Sequence, residues 1–135
     1  MAVREFVWDK LLSVEVEEID ADHRGLVDLF NLLARAAGER RQPDYVAALL
    51  EELIVSTEAH FRHEERLMIG HAYPELQAHA TEHRELIDAA RALQKTFLAA
   101  GRGLEAQGLD YLEHWLTEHI LVADMRLGVY LASRM

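Results

Sequence analysis

The chain has 135 residues, a formal charge of −10 and no cysteine, enough length for one domain with a real core. Lack of cysteine excludes disulfide frameworks, thiolate zinc sites, iron–sulfur clusters and covalently attached c-type haem. The negative charge argues against nucleic acid or an anionic membrane as partner.

The opening "MAVREFVWDK" carries Arg4, Glu5, Asp9 and Lys10 with no apolar h-region, so it does not read as a secretory signal. No apolar run approaches the ~20 residues that cross a bilayer, and a soluble cytoplasmic protein is expected. Residues 1–19 read as an extended arm, with Phe6, Val7, Trp8, Leu11 and Leu12 available to cover one end of a bundle.

Helix periodicity begins after the arm. The first predicted helix runs from Asp20 to Ala37, with Leu26, Leu29, Phe30 and Leu33 three and four apart and Gly38 as its stop. The second starts at Pro43, a residue suited to a first helical turn. It continues through Val46, Leu49, Leu50, Leu53 and Ile54 to Ile69, with Gly70 after it. "GHAYP" is a turn. The third helix spans Pro74 to Ala99, with Leu86, Leu93 and Phe97 on its apolar stripe, and "GRG" breaks it. The fourth covers Leu104 to Ala132 and includes Leu109, Leu112, Leu116, Ile120 and Leu127. No period-two pattern competes. Four long helices with short connections predict an all-α, up-down-up-down antiparallel four-helix bundle over residues 20–135, one domain with its arm.

The chemistry is concentrated in "HFRHEERLMIGHAYPELQAHATEH", His60 to His83, which holds five of the eight histidines. His60 and Glu64 are four apart and differ by only about 40° around a helix, as do His79 and His83 on the next one. The "GHAYP" reversal sets these two pairs level with each other. His23, near the start of the first helix, and His119, in the fourth, can reach the same layer. Imidazole with carboxylate suits iron, zinc, copper or nickel, and carboxylates can bridge two ions. Five imidazoles are too many for one tetrahedral zinc and fit a pair of metals. The second carboxylate stays open on spacing alone: Asp124 lies five residues after His119, about 140° away on an ideal helix, and Glu113 and Glu118 compete with it. His63, His71 and His114 read as surface or structural residues, and most of the acids, Glu82 and Glu118 among them, as solvated helix faces. Glu65 is the exception, a candidate to support a ligand.

Taken together, "IDADH" (Ile19 to His23), "HFRHEE" (His60 to Glu65), "YPELQAHATEH" (Tyr73 to His83) and "HILVAD" (His119 to Asp124) resemble the hemerythrin family, specifically its single-domain bacterial members, from about Trp8 onward. The resemblance implies a non-haem di-iron centre, oxo- or hydroxo-bridged, that takes O2 as a reversible ligand. By position, one iron would take His79, His83 and His119 and the other His23 and His60. Glu64 and Asp124 would bridge them, and an open position would remain on the two-histidine iron. Leu26, Phe61, Trp115, Leu116 and Ile120 become the expected walls of a dry O2 pocket. Three departures from the family pattern bear on the surroundings of the site: Glu15 where glycine is common, Asp22 where glutamine is common, and Leu127 where many members have tyrosine.

Rival chemistries find less support. Di-iron oxygenases and ferritins take a Glu-x-x-His motif from each of two helices, and no glutamate here stands three residues before a histidine. A zinc peptidase needs His-Glu-x-x-His, and "HEERL" lacks the second histidine. The expected function is therefore non-enzymatic: oxygen binding for transport, storage or delivery. The alternatives are O2, NO or redox sensing through a separate partner protein, and iron handling or peroxide-forming redox chemistry, with an oxygenase or signalling protein as the partner class.

Overall fold

A computed structural model describes residues 13–100 and 106–134, so Phe6, Val7, Trp8, Leu11, Leu12 and the "GRG" break lie outside the described residues. The elements are α1 (Glu17–Gly38), α2 (Pro43–Gly70), α3 (Leu76–Ala100), α4 (Ala106–His119), a π-helical turn (Ile120–Asp124) and α5 (Met125–Ala132). The last three form one rod, so the architecture is the predicted four-helix bundle, and the described residues include no strand. None of the described helices is long and apolar enough to cross a membrane.

The helix starts follow local chemistry. Glu17, Glu18 and Asp20 fill the first turn of α1 and Arg35 its last, matching the helix dipole. Pro43 opens α2, where its missing N–H costs nothing. α1 begins at Glu17, three residues earlier than the sequence indicates, because Asp20 points back at the arm. Its carboxylate accepts bonds from the Ser13 hydroxyl (2.6 Å) and the Val14 amide (2.9 Å). The arm then lies against α5 so closely that a Cβ on Gly128 would stand 2.2 Å from the Val14 carbonyl oxygen. Glu15, at a position where the resemblance expects glycine, has φ 64°.

The helix ends correct the reading of the glycines as stops. Gly38 and Gly70 are the last helical residues, and the left-handed conformation falls two residues later, on Arg40 (φ 54°) and Ala72 (φ 52°). Each reversal is closed by a six-residue bond back into the helix, Arg41 N–H to Ala36 O (3.0 Å) and Tyr73 N–H to Met68 O (2.9 Å), the Schellman arrangement.

Two apolar clusters fill the bundle. The larger contains Leu26, Phe30, Leu33, Leu50, Leu53, Ile54, Phe97, Leu112, Trp115, Leu116 and Ile120. The smaller, at the arm end, contains Val14, Val16, Ile19, Met68, Tyr73, Leu127 and Leu131. Each rod passes from one cluster to the other through a buried polar layer: His23 on the first, His60 and Glu64 on the second, His79 and His83 on the third, His119 and Asp124 on the fourth. Burial of apolar side chains on both sides, worth roughly 1.5–3 kcal/mol each, holds this layer in register.

Candidate metal centre

All seven of those polar residues are at most 4% exposed, an arrangement that costs stability unless the groups are paired or hold a metal. Their geometry is ordered around two carboxylates. Glu64 Oε1 lies 3.1 Å from His79 Nε2 and 3.0 Å from His83 Nε2. Its other oxygen, Oε2, lies 2.9 Å from His60 Nε2 and 3.6 Å from His23 Nε2. Asp124 divides in the same way: Oδ1 is 3.1 Å from His79 and 2.9 Å from His119, and Oδ2 is 2.8 Å from His23 and 3.9 Å from His60. Two donor sets result, one of His79, His83 and His119 and one of His23 and His60, sharing Glu64 and Asp124.

These donors suit metal better than each other. His60 Nε2 and Glu64 Oε2 are buried and 2.9 Å apart, and so are His119 Nε2 and Asp124 Oδ1, yet none of the four atoms has a hydrogen-bond partner of acceptable geometry. Lone pairs that pass one another at this distance converge on a shared point. Nitrogen and carboxylate oxygen in this ratio suit first-row ions such as iron.

Asp124 reaches the site because the rod changes its pitch. In the π turn at 120–124 the Met125 N–H bonds to Ile120 O, five residues back, so residues five apart come into line. His119 and Asp124 thus face the same point.

A second ring of carboxylates orients the rings. His60 Nδ1–H donates to Asp22 (2.9 Å), His83 Nδ1–H to Glu65 (2.7 Å) and His119 Nδ1–H to Glu82 (3.1 Å). Each bond turns Nε2 inward and strengthens it as a donor. Glu65, the expected candidate to support a ligand, stands 2.7 Å from His83 Nδ1. Glu82, read as a solvated face, is 43% exposed and accepts from His119 all the same; His63, read as a surface or structural residue, has its Nδ1 2.6 Å from Asp22. Its three-residue spacing from His60, which places it off the Glu64 face, is what aims it at Asp22. His114 pairs with Glu118 on the surface, and the His71 carbonyl accepts the Tyr130 hydroxyl (2.7 Å). Leu127 is fully buried among apolar neighbours.

The electrostatics follow from burial against proximity. Burial opposes the charged form of His60, His79 and His119, but Glu64 and Asp124 beside them outweigh it. His60 and His119 are held well above the ordinary imidazole range and His79 is raised to about 9. Burial likewise opposes charge on Glu64 and Asp124, and the surrounding imidazoles hold both well below the carboxylate range. The hydrogen bond from His60 lowers Asp22, and that from His119 lowers Glu82. Without metal, protons occupy the cage, and metal binding must displace them.

A small cavity of about 10 Å³ abuts this layer, at the lower limit of what admits one water-sized molecule. Leu26, Phe61, Trp115, Leu116 and Ile120 all line it, with Thr57 and Leu86 in addition. His23, His60 and His119 border it, whereas His79 and His83 do not. The Trp115 indole N–H is tied to Leu86 O (2.9 Å) and the Thr57 hydroxyl to Leu53 O (2.7 Å). Neither polar group therefore points a free donor into the space. Phe61 stacks on His83 at 3.8 Å with the rings 4° from parallel. Spacing could not have nominated Thr57 or Leu86, which belong to the wall only once α2, α3 and α4 are packed.

Residues 14–130 match the family described as the hemerythrin HHE cation-binding domain. A bacteriohemerythrin of Ralstonia nicotianae is 28% identical over 127 residues, spanning 94% of this chain and 89% of that protein. Myohemerythrin-1 of Phascolopsis gouldii is 32% identical over 126 residues, 90% of each. A crystal structure of wild-type hemerythrin superposes with a TM-score of 0.85 at 26% identity, covering 94% of this chain and 98% of that one. The extent of the family match, together with the structural likeness, shows that the chain belongs to the hemerythrin family as a bacterial hemerythrin.

Proposed function

We propose that the protein binds O2 reversibly at a di-iron centre, in the service of oxygen transport, storage or delivery, with residues 1–135 acting as one such domain. His79, His83 and His119 would hold one iron, His23 and His60 the other, and Glu64 and Asp124 would bridge them. The observation that carries this reading is the division of both carboxylates, one oxygen to each histidine set. An iron pair bound there would supply the two electrons that O2 takes up and returns.

The chain's own residues set the conditions. Asp22, Glu65 and Glu82 hold three rings in their inward tautomer. Leu26, Phe61, Trp115, Leu116 and Ile120 keep water from the space bordered by His23 and His60, the set that lacks a third imidazole, and by His119. A dry apolar wall offers no proton donor to drive a bound ligand forward, which favours release over reaction. No substrate is consumed.

The test is metal content and the visible spectrum of iron-loaded protein through cycles of anaerobic reduction and re-exposure to O2. Two irons per chain and a charge-transfer band that bleaches and returns support the proposal. One zinc or no metal overturns the di-iron assignment, and irreversible oxidation with peroxide release replaces oxygen binding with redox chemistry.

A further inference from the structure

The seven inner donors are all but sealed from solvent, so a hydrated ion must first meet something outside them. His60 faces both ways, as His83 and His119 do. Its Nε2 looks into the cage at Glu64 (2.9 Å), and its Nδ1 looks outward at Asp22 (2.9 Å). Asp22 in turn lies 2.6 Å from His63 Nδ1, and the Asp22 and His63 side chains are 33% and 26% exposed. These three residues are grouped closely enough to share an ion. They line an open groove between α1 and α2, together with Ala21, Gly25 and Ala59.

We propose that Asp22, His63 and the outward nitrogen of His60 form a third cation site, at which a divalent first-row ion is captured before it passes into the buried pair. The inference rests on the di-metal reading of the cage. Two imidazoles and a carboxylate are the donor set such an ion prefers. Ligand atoms around a tetrahedral ion at ~2.1 Å stand roughly 3.4 Å apart. An entering ion therefore needs to spread the present 2.6 and 2.9 Å contacts by less than ~1 Å, within reach of side-chain rotation at a half-buried position.

The other outer carboxylate with a groove beside it makes a contrast. The groove beside Glu65 also holds Arg62, Arg84, Glu58 and Asp88, but a single imidazole, His83, against two at Asp22. The Asp22 groove contains one arginine, Arg66, and Glu18 stands 3.8 Å from the far nitrogen of His63. Hand-off is built into His60, whose two ring nitrogens border the groove and the cage respectively. An ion in the groove displaces the proton on Nδ1, as one in the cage displaces that on Nε2.

The experiment mixes metal-free, full-length protein with substoichiometric cobalt(II) in a stopped-flow spectrometer and follows the ligand-field bands, with final stoichiometry measured separately. The wild type is expected to show a fast capture phase, then slower transfer to two ions per chain. H63A should remove the fast phase and slow loading about tenfold, at the lower end of what loss of a supporting group costs a metal site, with two ions still bound at the end. H63Q, which can keep a hydrogen bond to Asp22, guards against a folding defect and should slow loading equally. H114Q, at a surface histidine paired with Glu118, should load at the wild-type rate. Loading of H63A and H63Q at the wild-type rate overturns the proposal and leaves Asp22 as an orienting group alone. Fewer than two ions in the wild type defeats the di-metal reading instead, so the two failures are distinguishable.

Discussion

Stripping metal from the protein reverses the response of its stability to alkali. In the metal-free cage, His79 titrates at about 9, while the same ring in the unfolded chain titrates near 6.5. A folded-state value above the unfolded one means that the folded chain binds the proton more tightly. The stabilisation is complete below pH 6.5 and is lost as pH rises through 9. The gap corresponds to about 3 kcal/mol at 1.36 kcal/mol per pH unit. His60 and His119 act in the same direction. All three rings lean on the same two carboxylates, so their contributions do not sum. Glu64 and Asp124 are depressed, so their contribution is present above the ordinary carboxylate range and lost in acid. The metal-free protein should therefore be most stable near pH 5–6. With metal bound, the protons are already displaced, and rising pH removes their competition for the ligands, so stability holds or climbs. Urea denaturation at pH 5.5, 7.5 and 9 checks this in chelator-treated and metal-loaded protein. A midpoint falling by about 1.5 M in the metal-free form is expected for a urea slope of about 2 kcal/mol/M. A metal-free midpoint that stays level or rises between pH 6.5 and 9 refutes the account of the cage as proton-filled.

Three substitutions test the surrounding structure. G128A drives a Cβ to 2.2 Å from the Val14 carbonyl and should lose about 1–3 kcal/mol as the arm is pushed off α5; an unchanged melting temperature would mean the arm is not seated there. A72G relieves a left-handed alanine (φ 52°) in the turn between the two histidine pairs and should gain about 1 kcal/mol, read as a higher melting temperature with metal content unchanged. F61A removes the ring stacked on His83 and should cost about 3–5 kcal/mol. It also opens the dry wall, so the oxygenated spectrum should decay faster than in the wild type, and equal decay rates would show that this wall does not control oxidation.

The four rods and four of the seven inner donors are legible in the sequence because both obey one rule, and His23 and His119 join them once the helices are laid side by side at one level. Side chains four apart share a helix face, whether they are Leu49 and Leu53 packing the core or His60 and Glu64 flanking the site. What the rule misses depends on contacts between helices. His63 looks idle on its own helix, and its partner Asp22 comes from α1. Glu82 looks solvated until α4 brings His119 against it. Gly38 and Gly70 look like stops, but local hydrogen bonding carries each helix to its glycine and puts the turn on Arg40 and Ala72. Asp20, expected to start the first helix, is spent on fastening the arm.

Asp124 is the case in which spacing alone misleads. On a straight helix it would lie about 140° from His119; in the protein the two approach to 2.9 Å through the π turn at 120–124. The surplus residue is absorbed on the outer side, where Leu121 and Val122 are 43% and 53% exposed, so the apolar side chains displaced by the wider turn face solvent rather than the core. The apolar stripe carries no signal of this: Leu109 and Leu127 are both buried on either side of the turn, and 18 residues on an ideal helix leave them in phase. The irregularity shows itself at the site instead, where a carboxylate five places after a histidine must turn inward to stand opposite Glu64, and the wider turn is what brings it there.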